Sequence, residues 1–202
     1  MTRRRGRSSP APGGWGRYPS AMPHIRPLRS VALVLAITLA ASALGQGAPS
    51  PRALEGLDAL AAVELANSWK GSDVTTFATP EAVHFRFPDG AEVVVPMPED
   101  QMFVSVAPYL RQTHPCATHY MSGCQGELVG APVHVQAIAA DGTVLIDDVM
   151  PTMANGFIDL WLPRDQAIDL LMTLDGYSVV GRLTTFADSR TCITDLQLTA
   201  AR

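Results

Sequence analysis

Apolar residues recur at helical spacing in the segment that follows residue 50. Between Ala53 and Trp69 they return every three to four positions, which is the period of one face of an α-helix. Lys70 falls in the expected last turn, and Gly71 follows at a position where helices commonly end. We therefore predict one amphipathic helix over residues 53–69.

Alternation of apolar and polar residues replaces this pattern from Ala82 onward. The runs VHFRF and EVVVP flank Pro88-Asp89-Gly90, an arrangement typical of a β-hairpin. Asp141-Gly142 is a second strong hairpin turn. Asp165 to Leu171 indicates one or two helical turns. Further strands are predicted over residues 102–109, 132–139, 143–149, 156–162, 177–186 and 192–198.

Short strands separated by turns dominate the chain after the predicted helix. This density favours an antiparallel sheet or sandwich over an alternating α/β arrangement. We predict an α+β fold that is mainly β. Residues 53–100 form an N-terminal helix and hairpin, and residues 101–202 form a β-rich C-terminal domain.

The first 43 residues have the three parts of a secretory signal peptide. Seven arginines precede the uncharged stretch Ser30 to Leu44, and Ala41-Ser42-Ala43 supplies the small residues that a signal peptidase accepts. The apolar run is shorter than the roughly 20 residues that span a bilayer. We predict a signal peptide at 1–43, with Met22 as an alternative start, and a flexible leader at 44–52. The mature protein is then periplasmic or otherwise extracytoplasmic, without a stable membrane span.

Removal of the signal peptide leaves an acidic protein. It keeps eight of the fifteen lysines and arginines but all nineteen acidic residues. Phosphate binding requires clustered basic residues, and no basic stripe occurs in the sequence. A nucleic-acid partner is therefore disfavoured.

Residues with metal-binding chemistry concentrate in the segment THPCATHYMSGCQGE, residues 113–127. It contains Cys116, Cys124, His114 and His119, and Cys192 is the third cysteine of the chain. Thiolate and imidazole are ligands that suit Cu(I), whereas hard cations require oxygen ligands that are nearly absent here. His114 and Cys116 share a side in extended chain, and Cys116 and His119 would meet on a single turn. Copper is favoured over zinc, because structural zinc sites usually have more closely spaced cysteine pairs.

Other interpretations of the three cysteines remain open at this point. Cysteines of exported proteins are commonly paired in disulfides, and one pair would leave a single thiol. On spacing alone, a disulfide with a spare thiol is as well supported as a metal site. A thiol-disulfide oxidoreductase is a further alternative, although the usual C-x-x-C motif is missing. The last alternative is a structural β domain with one disulfide.

A family resemblance favours copper. THPCATHYMSGCQGEL, followed by APVHV, NGFIDLWLPR and TCITDLQL, resembles the CueP family of bacterial periplasmic copper-binding proteins over roughly residues 102–198. The resemblance implies copper resistance and, in some members, copper delivery to a superoxide dismutase. It also implies a homodimer through the N-terminal part. The five residues that match the family's cysteines and histidines are Cys116, Cys124, Cys192, His114 and His119.

The same resemblance suggests a division of roles within this set. Cys116 with its flanking histidines is expected to contact Cu(I), while Cys124 and Cys192 are expected to be able to close into a disulfide. Thiols beside Cu(II) can reduce it to Cu(I) as they are oxidised. No enzymatic activity is expected beyond such cysteine-dependent reduction. The Met121 thioether lies near these residues in sequence and is an additional soft donor.

Overall fold

The computed structural model describes residues 48–200, which begin with a short 3-10 turn and one α-helix. The turn covers Pro51–Leu54, and helix α1 covers Ala59–Ser68. The helix is shorter than predicted because Gly56 has a φ of +74°, a conformation that interrupts a helix and that glycine adopts readily. Asp58 then caps α1 by accepting a hydrogen bond from the backbone N–H of Ala61. The predicted signal peptide, 1–43, lies outside the described residues.

Helix α1 packs on an antiparallel sheet of three strands. These are β1 (Thr75–Ala78), β2 (Ala82–Arg86) and β3 (Glu92–Pro96), in the order β1-β2-β3. The β2–β3 hairpin confirms the prediction from VHFRF and EVVVP, whereas β1 was not predicted. Trp69, just after the helix, places its ring edge-on against buried Phe85, with ring centroids 5.7 Å apart. Apolar residues of α1 and this sheet thus form one hydrophobic core.

A second sheet lies between two cores. Its strands are β4 (Gln101–Val106), β7 (Ile158–Pro163) and β10 (Cys192–Ile193), in the order β10-β4-β7. Alternate residues of β4 face opposite sides of the sheet. Phe103 therefore joins the core under α1, and Met102 and Val104 join a larger core on the other side. Strand β10 pairs with β4 in parallel, which brings a distant part of the chain beside β4.

The third sheet is antiparallel and covers the larger core. Its strands are β5 (Pro132–Ala139), β6 (Val144–Pro151), β8 (Ala167–Leu174), β9 (Tyr177–Thr184) and β11 (Thr199–Ala200). Their order in the sheet is β11-β9-β8-β5-β6. Val133, Val135 and Ala137 of β5 point inward and are fully buried, which is the alternation expected of a sheet with one face in the core.

The mainly β fold with antiparallel sheets and one short helix is confirmed, with two local corrections. The helical turns predicted over 165–171 are wrong: that segment enters strand β8, where Ile168 and Leu170 point into the core and Asp169 is exposed. The strand predicted over 192–198 is also wrong as a single element: only Cys192–Ile193 form strand β10, Gln197 makes an isolated bridge to Tyr109, and β11 begins beyond the predicted segment at Thr199. No helix within residues 48–200 is long and apolar enough to cross a membrane.

Candidate metal centre

A long loop, residues 107–131, connects β4 to β5 and carries four of the five predicted site residues. It is fastened to strand β1 of the first sheet. The backbone N–H of Ala78 donates to the carbonyl of His119 at 2.9 Å, and the N–H of Thr76 donates to the Ser122 hydroxyl at 3.2 Å. The loop is therefore irregular in conformation but held by specific hydrogen bonds.

Glu127 fastens the arm of this loop that leads to His114. One carboxylate oxygen accepts backbone hydrogen bonds from Leu110 at 2.7 Å and from Arg111 at 2.9 Å. These bonds, that from Arg111 above all, hold the pKa of the Glu127 carboxyl below its usual range. The carboxylate form that organises the arm thus persists at neutral pH.

Thr191 brings Cys192 to the loop. Its side-chain hydroxyl donates to the carbonyl of Ala78 at 2.6 Å and accepts from the N–H of His119 at 3.0 Å. The backbone N–H of Cys192 donates to the carbonyl of Ala117 at 3.1 Å. One buried hydroxyl therefore joins β1, the loop and the start of β10 at the candidate site.

The five predicted residues form two overlapping groups. His114, Cys116 and Cys124 make up the outer trio, and His119, Cys124 and Cys192 make up the inner trio; within each trio the potential ligand atoms lie within 4.8 Å of one another. The Cys116 and Cys124 sulfurs are 3.6 Å apart. The Cys192 sulfur lies 3.7 Å from Nδ1 of His119. Cys124 belongs to both trios.

The two trios differ in their access to solvent. His114 and Cys116 are half-buried and line a surface pocket of about 630 Å³. His119 and Cys192 have no exposed surface at all. The His119 ring packs against Phe157, with ring centroids 4.6 Å apart, and its Nε2 atom is buried with no hydrogen-bond partner among the described residues. An unsatisfied buried nitrogen is costly in a folded protein, and a bound ligand can remove such a cost.

Neighbouring groups make the three thiols unequal as acids. A hydrogen bond from Cys192 is the largest cause that lowers the pKa of Cys124, and His119 and the backbone N–H of Tyr120 add to it. The pKa of Cys192 is raised, chiefly by the same hydrogen bond to Cys124. Burial raises the pKa of Cys116. Cys124 is therefore the thiol of the three that ionises most readily.

Lys70 is a contributor that the sequence analysis missed. Its ammonium group donates a hydrogen bond to the carbonyl of Cys124, across from the end of α1. Burial lowers the pKa of Lys70, and the attraction of the Cys124 thiolate opposes that shift. The sequence signals only a favourable charge at the end of a helix and not this contact with Cys124.

The structure departs from the sequence-based picture in its details. His119 shares a trio with Cys124 and Cys192, although the spacing argument had it meeting Cys116 on a single turn. Residues 116–119 do not form a helical turn, because the hydrogen bonds to Ala78 and Thr191 hold His119 extended. Met121 is buried in the core under α1.

All three cysteines, which lie within the described residues, are free. The contact between Cys116 and Cys124, at 3.6 Å, is much longer than a disulfide bond of about 2.05 Å. The disulfide expected between Cys124 and Cys192 stays a prediction.

The donors of both trios fit a soft metal ion. Each trio offers thiol sulfur and imidazole nitrogen, which suit Cu(I) and also zinc, and neither contains the carboxylates that hard cations prefer. Nδ1 of His119 lies 3.7 Å from the Cys192 sulfur, within reach of a shared ion. A site for copper is thus compatible with the residues present.

Comparisons with known proteins agree with this chemistry. Residues 58–197 match the family described as "Periplasmic copper-binding protein CueP". A crystal structure of S.CueP is similar to this chain, with a TM-score of 0.68 and 29% sequence identity, over 73% of this chain and 92% of that one. No curated protein matches. Because the family match spans well over half of the sequence and includes all five residues of the two trios, the chain belongs to the CueP family of periplasmic copper-binding proteins.

Proposed function

We propose that this protein binds Cu(I) through the thiolates of Cys116, Cys124 and Cys192, with His114 and His119 as nitrogen ligands. The observation that carries the proposal is the pair of overlapping trios around Cys124. Cu(I) favours soft ligands in low coordination numbers, and every potential ligand here is a sulfur or an imidazole nitrogen. The lowered pKa of Cys124 favours its thiolate, which is the form of cysteine that binds metals.

A competition titration tests this proposal. Reduced protein is titrated with Cu(I) in the presence of a chromogenic Cu(I) chelator, alongside the single variants Cys116→Ser, Cys124→Ser and Cys192→Ser. We expect the unchanged protein to take Cu(I) from the chelator and each variant to hold it less tightly. His134→Gln is the matched control, because His134 pairs with Asp147 on an exposed part of the third sheet and belongs to neither trio.

Two results would contradict the proposal. One is a failure of the reduced protein to compete with the chelator at all. The other is binding that none of the three cysteine substitutions weakens. Parallel titration with Zn²⁺ distinguishes a zinc site, which would hold Zn²⁺ more tightly than Cu(I) in the same buffer. A thiol-disulfide oxidoreductase would instead turn over a disulfide substrate in the absence of metal.

Reduction of Cu(II) is a second candidate function, and the contact between the Cys116 and Cys124 sulfurs favours it. Two thiolates that form one disulfide release two electrons, which reduce two Cu(II) ions to Cu(I). Quantifying free thiols and Cu(I) after addition of Cu(II) tests the stoichiometry. Two thiols lost for every two Cu(I) formed is expected, and peptide mapping identifies whether the bond joins Cys124 to Cys116 or to Cys192.

We further propose that the protein is exported, acts in copper resistance and passes its copper to an acceptor such as a superoxide dismutase. The outer pocket supports the transfer to an acceptor, because Arg190 and Asp195 form an ion pair of 3.0 Å among its lining residues. Such a polar rim suits a transient partner. Incubation of the copper-loaded protein with copper-free superoxide dismutase should restore dismutase activity. Unchanged activity, with copper retained by the donor, would count against delivery.

The family resemblance also supports a homodimer through the N-terminal part, which we propose as the assembly. Leu60 of α1 and Val94 of β3 are about half exposed. Exposed apolar side chains of this kind are suited to an interface with a second copy of the chain. Light scattering of the purified protein measures its mass directly. A dimer that dissociates in Leu60→Glu agrees with the proposal, and a monomer at all concentrations contradicts it.

A further inference from the structure

Cys124 is the thiol that both trios share. It belongs to the outer trio with Cys116 and to the inner trio with Cys192, whereas no trio within residues 48–200 contains both Cys116 and Cys192. Cys116 is half-buried and Cys192 is fully buried, so the three neighbouring sulfurs differ in depth. An ion held by Cys124 can be reached by ligands on either side of it.

Access to solvent differs sharply between the two trios. The outer trio borders the pocket that Tyr109, Pro115 and Thr194 help to line. The inner trio is closed off by buried Phe103 and Phe157, whose rings flank His119. Cys116 lines that pocket, whereas His119 and Cys192 have no exposed surface. An ion arriving from solvent therefore meets the outer trio first.

Ligand exchange at Cu(I) accounts for what happens next. A soft ion with a low coordination number exchanges ligands one at a time, since a new sulfur binds before an old one leaves. Such a movement needs one ligand that remains bound throughout. Cys124 is the residue placed to do so, because its sulfur is common to both trios. Nδ1 of His119 lies 3.7 Å from the Cys192 sulfur and is therefore the nitrogen placed to join Cys192 as a ligand in the inner trio.

We propose that Cu(I) loads at the outer trio and then moves to the inner trio, with Cys124 holding the ion throughout the transfer. As the Cys192 sulfur binds, its proton is lost to solvent, and Cys116 takes up a proton when it leaves; no electron is transferred. The proposal rests on the proposed Cu(I) binding. The outer trio then sets the rates at which Cu(I) is loaded and released, and the inner trio sets the affinity for Cu(I).

Kinetic and equilibrium measurements on paired variants test this order. Cu(I) is supplied from its chromogenic chelator in a stopped-flow instrument, and the affinity is measured separately by competition. Cys116→Ser and His114→Gln should slow uptake by about tenfold or more while changing affinity less. Cys192→Ser and His119→Gln should keep fast uptake but lose more than about 100-fold in affinity, beyond what loss of an outer-shell partner causes.

Cysteine labelling gives a readout that does not depend on uptake rates. In metal-free protein, an alkylating reagent should modify Cys116 faster than Cys192. After equilibration with one equivalent of Cu(I), Cys124 and Cys192 should be protected while Cys116 remains reactive. Thermal unfolding of each variant establishes that it is folded, and Cys192→Ala serves where the buried serine prevents folding.

Three outcomes separate the possibilities. If outer and inner substitutions lower the uptake rate and the affinity in parallel, the thiols form one undivided site and the proposed order is overturned. Equal protection of Cys116 and Cys192 at equilibrium also overturns it. If the unchanged protein binds no Cu(I), the proposed function fails first, and its failure is recognised by the competition titration alone.

Discussion

The outer and inner trios contain the same kinds of ligand but are built differently. His114 and Cys116 lie on an irregular arm of the loop, organised by a single carboxylate. Cys192 opens strand β10 beside β4, and His119 bonds to β1. The comparison suggests that ligands in a strand or bonded to one are held rigidly for retention, whereas ligands on a surface arm are suited to exchange. In general, sites built on regular elements are more precisely positioned than sites on loops.

The largest effect should come from removing the residue that both trios share. Cys124→Ser leaves each trio with only one sulfur and should weaken Cu(I) binding by about a thousandfold, or ~4 kcal/mol. Chelator competition at constant pH measures the loss. A loss of Cu(I) affinity no greater than the loss caused by Cys116→Ser would show that Cys124 is not the common ligand.

Acidification should have the next largest effect. The pKa values of Cys116 and Cys192 are raised, so both thiols are protonated at neutral pH and must lose protons to bind Cu(I). Affinity should therefore fall as pH decreases, by between about tenfold and a hundredfold per pH unit for one or two displaced protons. Competition against a chelator with known pH dependence checks the slope. A flat profile between pH 6 and 8, values that bracket neutrality, would mean that all bound thiols are already ionised.

Removal of the Thr191 hydroxyl should weaken the inner trio selectively. Thr191→Val leaves the carbonyl of Ala78 and the N–H of His119 without their buried partner. Such unsatisfied groups cost about 1–3 kcal/mol of unfolding free energy. Denaturant unfolding should show this loss, and alkylation of Cys192 should become faster relative to Cys116. The matched control is Thr143→Val, because Thr143 is exposed and lies outside the site. Thr113→Val is unsuitable, because the Thr113 hydroxyl donates to the carbonyl of Thr194 beside the outer pocket.

The smallest effect should come from Lys70. Lys70→Met removes a positive charge from the neighbourhood of the Cys124 thiolate. Because the ammonium group is partly exposed, we expect no more than about a fivefold loss of Cu(I) affinity. Lys70→Arg should recover most of it. Equal losses in both variants would indicate that packing, and not charge, is what Lys70 contributes.

Much of the fold could be predicted from local patterns. The alternation around Phe85 and the turn at Asp89-Gly90 define the β2–β3 hairpin without any tertiary information. Strand β8 was missed because the charged and small residues around Ile168 also fit a helical turn. Its inward and outward alternation becomes decisive only once β5 and β9 lie on either side of it. Propensity is often overridden in this way by tertiary pairing.

The membership of the site could be predicted, but its internal arrangement could not. Cys192 reaches the loop through a parallel pairing of only two residues with β4, which is too short to give a periodic pattern. His119 was assigned to Cys116 by spacing, yet its position depends on β1, a strand too short to be predicted. Both facts are tertiary contacts, and sequence spacing carries no information about them.

Lys70 has a practical consequence for chemical work on this protein. It is the only lysine in the sequence, and its amine contacts the backbone of Cys124. Amine-directed dyes, crosslinkers and immobilisation resins will therefore attach either at the chain terminus or beside the thiols. Samples prepared by such coupling would carry their label at the very place under study, so attachment through an engineered surface residue is preferable.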